Sequence, residues 1–418
     1  MGRLNLGSIT NGCQSRTKIH RNASMLAWKI HDSLDNQDER DVRSKLSCGE
    51  TRIPTISSPS EVLVKIHSTS INPLDVRMCY GYGRRVLDLL DMLTNFETRI
   101  TNDRYPLTLG RDFSGEVVAA GPCARKNFKP GDRVYGAVEP QRSGAHAEFV
   151  TVPSSSLTRK PNNLSHQEAA SVPFVALTGY SALSTFGGLS KDNCRGKQVL
   201  VLGGSGGVGS FAIQLLKYWG ANVVATCSEE KLDWLENTLF VDQAVDYRDL
   251  SQMDSLRAKF DFVLDCGDYE QTGEEHQKIV KSGSEFLKPQ SRSVYVTLSP
   301  PILRNTDRHG ILAGAAETAL QAVNDTLASL RNLNSARWAV FLPNKSALLY
   351  LSSLYEEGAL APLVHSSFGF DQMPDAFEEL QSGAARGKVV VDMTRKRSQQ
   401  QKSDSATSAS QQQTGGDS

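Results

Sequence analysis

Gln198-Val-Leu-Val-Leu-Gly-Gly-Ser-Gly-Gly-Val-Gly209 is the stretch that decides the reading of this chain. Its first five residues form a short apolar run, and five glycines crowd the seven positions that follow. Gly204, Gly206 and Gly209 fit G-x-G-x-x-G, a turn that aims a helix N-terminus at a pyrophosphate. In such a turn the first glycine makes the bend and the second lets backbone approach the phosphates. The third lets the helix lie close on the strand. Phe211 to Trp219 then has helical spacing, and Asn222 to Thr226 is a second apolar strand. Val199 to Leu216 carries no charge, but its glycines specify a turn, not a membrane span.

The same alternation continues downstream. Lys231 to Leu239 reads as a helix, and Val241 to Tyr247, Phe260 to Cys266 and Ser293 to Leu298 read as strands. Repeated β-α-β order predicts a doubly wound parallel sheet with helices on both faces, an α/β fold. Upstream the pattern is β-rich and broken by turns. Val62 to Ile66 and Glu116 to Ala119, after Gly115, read as strands; Lys129-Pro-Gly-Asp132 is a turn before the short strand Arg133 to Tyr135.

Composition sets outer bounds. The chain has 418 residues, enough for two or three domains. With 46 basic against 46 acidic residues it lacks the basic excess that coating nucleic acid or an anionic membrane requires. An apolar share of 39% together with 33 glycines excludes wholesale disorder, a collagen-like repeat and a coiled-coil rod. The seven cysteines are scattered without a C-x-x-C pair, which favours a reducing compartment. No Cys/His cluster has zinc-ligand spacing, so no metal ligand is expected.

The ends differ from the middle. Met1 to His31 has no acidic residue, and Arg3, Arg16, Lys18 and Arg21 lie among hydroxyl residues and asparagines. That is the composition of a mitochondrial transit peptide, placed here at residues 1–24. Thr394 to Ser418 opens on Arg395-Lys-Arg397 and continues in Gln, Ser, Thr and Gly, a composition expected to stay disordered.

The second strand of the cofactor unit indicates which dinucleotide fits. It ends Thr226-Cys227-Ser228, without the carboxylate that binds a ribose 2′-hydroxyl in NAD enzymes. Glu229 and Glu230 fall at the start of the next helix, where acidic residues also serve the helix dipole. A small hydroxyl at Ser228, with Lys231 and Arg248 nearby in sequence, suits a 2′-phosphate and therefore NADPH.

Several ordered motifs resemble the zinc-free quinone oxidoreductase branch of the medium-chain dehydrogenase/reductase superfamily, most closely its mitochondrial reticulon-interacting members. They are Ser70-Ile-Asn-Pro-Leu-Asp75 with Gly81-Tyr-Gly83, Pro106-Leu-Thr-Leu-Gly-Arg-Asp-Phe-Ser-Gly115, and Ala169-Ala-Ser-Val-Pro173 with Leu177-Thr-Gly-Tyr180. Gly203 to Gly209, Asp246-Tyr247, Phe260 to Asp265, Val296-Thr-Leu298 and Ala385-Arg-Gly-Lys388 complete the series. The resemblance spans Met25 to Met393 and implies a Rossmann-type cofactor domain at 173–342. A β-rich GroES-like substrate domain would comprise 25–172 and return at 343–393.

Carried over by residue, the resemblance places Ser205, Gly206, Gly207 and Val208 on the pyrophosphate. Ser228, Lys231 and Tyr247 would surround the 2′-phosphate, and Leu264, Thr297, Leu298 and Phe341 the nicotinamide. Arg386, Gly387 and Lys388 would close the cleft from the other domain. Asn72, Asp75 and Tyr82 would form its polar lining, although Asn-Pro with a nearby Asp is also an ordinary turn composition. Arg111 and Asp112 stand where zinc-dependent relatives carry a metal pair, so hydride transfer to a quinone or activated enone is implied without a metal.

Three features depart from the family pattern: few glycines after Asp265, a long insertion at Val86 to Arg104 that would cover the substrate cleft, and the C-terminal tail. The resemblance further implies a mitochondrial enzyme, in the matrix rather than on the outer membrane, linked to ubiquinone and in peripheral contact with the membrane; a cytoplasmic location is the alternative. It also implies a homodimer and a reticulon-type partner. A catalytically weak NADPH-binding scaffold and an enoyl-thioester reductase remain open alternatives.

Overall fold

The computed structural model describes residues 23–31, 41–94, 105–267, 283–331 and 333–395. The expectations for a transit peptide, for residues 95–104 of the insertion, for the loop after Gly267 and for the tail beyond Arg395 lie outside these residues.

Two main sheets carry the architecture. The first is six-stranded and wholly parallel, in the order Gln243–Asp246, Asn222–Cys227, Gln198–Leu202, Phe262–Asp265, Val294–Thr297, Ser335–Trp338. Val199 and Val201 face one core with Phe211, Ile213 and Leu215; Leu200 and Leu202 face another with Met253, Phe260 and Val263. Period-two alternation of apolar residues into two separate cores is what a sheet covered on both faces requires. The Rossmann-type half is therefore present as read.

The second sheet has seven strands. Along one path it runs Val364–Gly369, Lys388–Asp392, Glu61–Ile71, Asp112–Ala120, Arg133–Ala137, Leu157–Arg159, with Phe149–Pro153 also paired to Glu61–Ile71. Its core gathers Val62, Val64, Phe113, Phe377, Val389 and Val391. The strand read as Val62 to Ile66 extends to Ile71 because Ser68, Thr69 and Ser70 are buried and satisfied internally. Thr69 Oγ1 donates to the Asp112 carbonyl at 2.7 Å and Ser70 Oγ to the Asp112 carboxylate at 2.7 Å. Gly115 lies inside its strand rather than before it, since a Cβ there would overlap the Lys65 carbonyl across the ladder.

The two sheets meet at a tight joint. Helix Pro173–Tyr180 starts on a proline, and the Phe174 N–H donates to Asp112 Oδ1 at 2.6 Å. Helix Lys345–Glu356 buries Leu348, Leu351 and Leu354 in the core of the six-stranded sheet. Its Ser352 hydroxyl meets Tyr135 Oη at 2.8 Å, on the other sheet. Among the described residues no helix is long and apolar enough to cross a membrane.

A histidine pair makes this joint sensitive to acid. His67 and His166 stack with ring centroids 4.5 Å apart, and Ser114 Oγ lies 2.8 Å from His166 Nδ1. Burial, then the neighbouring His67, Lys160 and Arg133 charges, push His166 down to about 4; burial also lowers His67. The unfolded chain thus takes up these protons first. Stability is complete above about pH 6.5 and is lost as pH falls toward 4. With partial exposure discounted, His166 contributes about 1 kcal/mol. Urea midpoints measured at pH 7 and pH 4.5 should differ less for His166→Gln than for the parent; an equal difference refutes the assignment.

Candidate functional site

The glycine turn has the geometry of an open cradle. Helix Gly207–Tyr218 begins with Gly206 as N-cap and has no side-chain cap, so its first-turn amides carry no side-chain partner. A Cβ on Gly206 would find nothing closer than the Gly203 carbonyl at 3.6 Å, which leaves room for a phosphate against the backbone. Gly209 is closed in: a Cβ there would overlap the Gly203 carbonyl and stand 2.9 Å from Gly204 Cα. One assignment needs correction. The residue with positive φ is Gly203, at 77°, not Gly204. Gly204 is small for packing, since its Cβ would lie 2.9 Å from Ala225 Cβ and 3.0 Å from Ile213 Cδ1. The helix also starts four residues earlier than its apolar spacing indicates, because it uses Gly207 and Gly209 for close approach.

At the far end of the next strand lies a polar and cationic group of side chains. Ser228 is half-buried directly after strand Asn222–Cys227. The Tyr247 N–H donates to the Cys227 carbonyl at 3.1 Å, and the Arg248 guanidinium lies 5.3 Å from the Tyr247 ring centroid. Lys231 Nζ donates to the carbonyls of Gly383 at 2.7 Å and Ala385 at 3.1 Å. Arg386 donates to the Glu230 carbonyl at 3.1 Å. Lys231 is thus a clasp between the cofactor turn and the 383–388 segment; burial lowers its pKa. Glu230 points its carboxylate to Arg248 at 3.5 Å, so it offsets rather than removes the positive field.

The same segment crosses to the glycine turn. Gly387 has φ of 93° and donates its N–H to the Ser205 carbonyl at 3.2 Å. Lys388 is 5% exposed, not a surface lysine, and its methylenes pass Gly207. Its ammonium donates to Asn72 Oδ1 at 2.6 Å and to the Ile71 carbonyl at 2.9 Å, with Asp112 Oδ2 at 3.3 Å. Asn72 Nδ2 in turn donates to Asp112 Oδ2 at 2.8 Å. Burial lowers the Lys388 pKa, while the Asp112 and Asp75 charges oppose that shift.

Asp112 is the hub of this network, a role that the sequence reading missed. It accepts from Ser70, Asn72, Phe174 and Lys388, which come from both domains. An adjacent acidic residue has a different task. Asp75 is 0% exposed and accepts from Gly110 N–H at 2.8 Å, Asn72 N–H at 3.0 Å and Arg111 Nε at 3.3 Å. Contrary to its expected place in the cleft lining, Asp75 lies behind the wall and caps helix Pro73–Cys79 with Asn72. The rest of the Arg111 guanidinium donates to backbone carbonyls, those of Glu139 and Arg142 at 3.0 Å each, Pro140 at 3.3 Å and Thr108 at 3.5 Å. An arginine cannot ligate a metal, and Asp112 is engaged at both oxygens; the donor set here fits a rigid joint. Tyr82 is half-buried, with the Arg77 guanidinium 5.3 Å from its ring centroid.

The apolar residues expected beside a nicotinamide gather at the C-terminal edge of the parallel sheet. Leu264 is fully buried, whereas Thr297, Leu298 and Phe341 are half-buried. Phe341 stacks on Phe174 with centroids 4.6 Å apart and planes at 16°. Phe174 was not anticipated, and nor was the buried pair below the edge, where Tyr295 Oη donates to Asp265 Oδ2 at 2.6 Å. An aromatic directly after the helix-initiating Pro173 would have been the signal for the first; nothing local marks the second.

Comparison with known proteins agrees with this geometry. The chain matches the family described as alcohol dehydrogenase GroES-like domain over residues 58–162 and the family described as zinc-binding dehydrogenase over residues 239–391. It is 39% identical over 380 residues to the mitochondrial NAD(P)H oxidoreductase RTN4IP1 of Bos taurus, covering 90% of this chain and 91% of that one. The Danio rerio protein of the same name is 40% identical over 374 residues, 89% and 92% of the two chains. Among solved structures, the quinone oxidoreductase from Coxiella burnetii superposes with a TM-score of 0.67 at 26% identity, covering 88% of this chain and 99% of that one. The glycine cradle, the GroES-like sheet and the order of both along the sequence lead to one conclusion: the chain belongs to the medium-chain dehydrogenase/reductase superfamily, among relatives of the mitochondrial NAD(P)H oxidoreductase RTN4IP1.

Proposed function

We propose that this chain is a mitochondrial NADPH-dependent oxidoreductase that reduces a quinone or related activated enone. The observation that carries the reading is the pairing of an open phosphate cradle at Gly203–Gly209 with the cationic group around Ser228. Ser205, Gly206, Gly207 and Val208 would hold the pyrophosphate, and Ser228, Lys231, Tyr247, Arg248 and Arg386 the 2′-phosphate. Leu264, Thr297, Leu298 and Phe341 would form the wall beside the nicotinamide. When bound, NADPH supplies the hydride and most of the reducing chemistry.

The protein's own residues have a smaller task. Asn72 commits one amide hydrogen to Asp112 and its carbonyl to Lys388, so its orientation is fixed. Tyr82, steadied by Arg77, is the hydroxyl placed to donate to a developing oxyanion. Phe341 and Phe174 exclude water from the transfer. Asp75 acts from behind this wall. In this proposal residues 25–172 and 343–393 form the substrate domain and 173–342 the cofactor domain, with 1–24 as the transit peptide and 394–418 as a tail. A matrix location, a ubiquinone link, a homodimer and a reticulon-type partner belong to the same proposal; the relatives' mitochondrial designation supports the organelle.

Ser228→Asp tests the cofactor assignment. A carboxylate there would repel the 2′-phosphate and bind the 2′-hydroxyl instead, so the ratio of NADPH to NADH affinity should fall at least tenfold. An unchanged ratio, measured by titrating both dinucleotides, would refute it. The activity is tested with purified protein, NADPH and a panel of quinones and enoyl thioesters. Acceptor-dependent NADPH oxidation by quinones supports the proposal. Tight NADPH binding without oxidation selects the scaffold alternative, and activity on enoyl-CoA alone selects the thioester reductase.

A further inference from the structure

We infer that Asp307, on the cofactor domain, is a positioning residue that fixes the Tyr82-Gly83 rim of the substrate cleft, and so helps to set which acceptors the enzyme takes. The inference rests on the proposed reductase function.

Helix Arg84–Thr94 follows that rim, and the residues just before it, Gly81, Tyr82 and Gly83, offer no short acceptor side chain for a local cap. The cap comes from a residue more than 200 positions away. Asp307 Oδ2 accepts from the Gly83 N–H at 2.5 Å and Oδ1 from the Arg85 N–H at 3.2 Å. One carboxylate thereby satisfies two of the helix's orphan amides and places a negative charge at the positive end of its dipole. Gly83 has φ of 73°, and a Cβ there would lie 3.2 Å from Leu87 Cδ1 and 3.4 Å from Leu303 Cδ1. Polar and apolar contacts thus tie the same turn to the same helix.

The far side of the tie is rigid. Asp307 sits on helix Ile302–His309, which packs against helix Ile311–Arg331 so closely that a Cβ on Gly314 would overlap the Asn305 carbonyl. Asn305 Nδ2 donates to Thr318 Oγ1 at 3.2 Å between them, and both residues are buried. Helix Ile302–His309 begins four residues after Leu298 on the nicotinamide wall. The carboxylate therefore connects the segment beside the expected hydride donor to the turn that carries Tyr82, the expected proton-donating hydroxyl. A cap supplied from within helix Arg84–Thr94 would stabilise that helix equally well without fixing the two walls to each other. Burial raises the Asp307 pKa, whereas the Gly83 and Arg85 N–H bonds and the Arg85 charge oppose this.

The experiment compares Asp307→Ala and Asp307→Asn with the parent by amide hydrogen exchange and by kinetics. In Asp307→Ala, exchange at residues 83–87 should speed at least tenfold while the 198–218 region is unchanged, and NADPH affinity should stay within twofold. KM for the acceptor should rise about tenfold with a smaller change in kcat. Asp307→Asn keeps one acceptor oxygen and should recover part of both effects. Unchanged exchange at 83–87 in Asp307→Ala overturns the inference, as does a matched loss of NADPH affinity or of protection at 198–218, which would mean general loosening. If no acceptor supports NADPH oxidation, the reductase proposal fails on its own. Exchange at 83–87 then still decides whether Asp307 holds the rim.

Discussion

Asp112→Ala is expected to destabilise the fold by about 3–5 kcal/mol, the range for removing one partner of a buried ion pair. Four donors lose their acceptor at once: the Phe174 N–H, and Ser70, Asn72 and the Lys388 ammonium, which are buried. The Lys388 charge is the costliest to strand, since it is 5% exposed and its remaining partners are neutral oxygens. Asp112→Asn keeps the shape and one acceptor oxygen, so it should fold with a smaller loss, on the order of 1–3 kcal/mol. The urea midpoint of Asp112→Asn combined with Lys388→Met separates the terms. With the stranded charge gone, the double variant should be more stable than Asp112→Asn alone. If it is less stable by the full sum of the single losses, the two residues do not act on each other.

Gly209→Val is expected to abolish dinucleotide binding at millimolar concentration while the substrate-domain sheet stays intact. The added Cβ overlaps the Gly203 carbonyl and presses on Gly204 Cα, so helix Gly207–Tyr218 must move off the strand that precedes it. The packing cost is about 1–3 kcal/mol. The functional cost is larger, because first-turn amides must meet phosphate oxygens within a few tenths of an ångström. Gly206→Ala is the internal control. Its Cβ would point into the open cradle with no protein atom closer than 3.6 Å, so stability should hold while affinity falls. Affinity is read by fluorescence titration and stability by thermal melting. Full NADPH binding by Gly209→Val would remove the glycine turn from the site.

Much of the fold was legible in the sequence because its signals are local. Strand Gln198–Leu202 lies where four consecutive apolar residues precede a glycine run. The alternation of helix and strand after it gives the parallel sheet directly. Elements stabilised by distant partners were read short or missed. The strand read as ending at Ile66 continues through Thr69 and Ser70, whose hydroxyls donate to Asp112, more than 40 positions away. Gly115 looks like a break until the Lys65 carbonyl is seen lying against it.

The site divides along the same line. Its glycine turn is a contiguous motif between a strand and a helix, and that order was legible, though not which glycine bends nor that the helix begins at Gly207. The joint between the domains joins residues 42, 62 and 276 positions apart, which no periodicity reveals. Asp75 shows the hazard of reading polarity as exposure. A carboxylate three residues after an Asn-Pro looked like a cleft wall, yet it is held by Asn72, Gly110 and Arg111 inside the protein.

The strand Lys388–Asp392 completes the sheet begun by Glu61–Ile71, with Lys388 and Asn72 standing 316 positions apart in the chain. A ribosome therefore releases the whole cofactor unit before the earlier domain can close. Throughout that interval the Ser68–Ile71 end of Glu61–Ile71 lacks its partner on one side, and the core that includes Val62 and Phe113 lacks Phe377, Val389 and Val391. Synthesis order and folding order are inverted for half of this protein. A nascent chain stalled or cut before residue 388 would present a sticky, incomplete sheet beside a finished dinucleotide fold, the kind of species that chaperones retain.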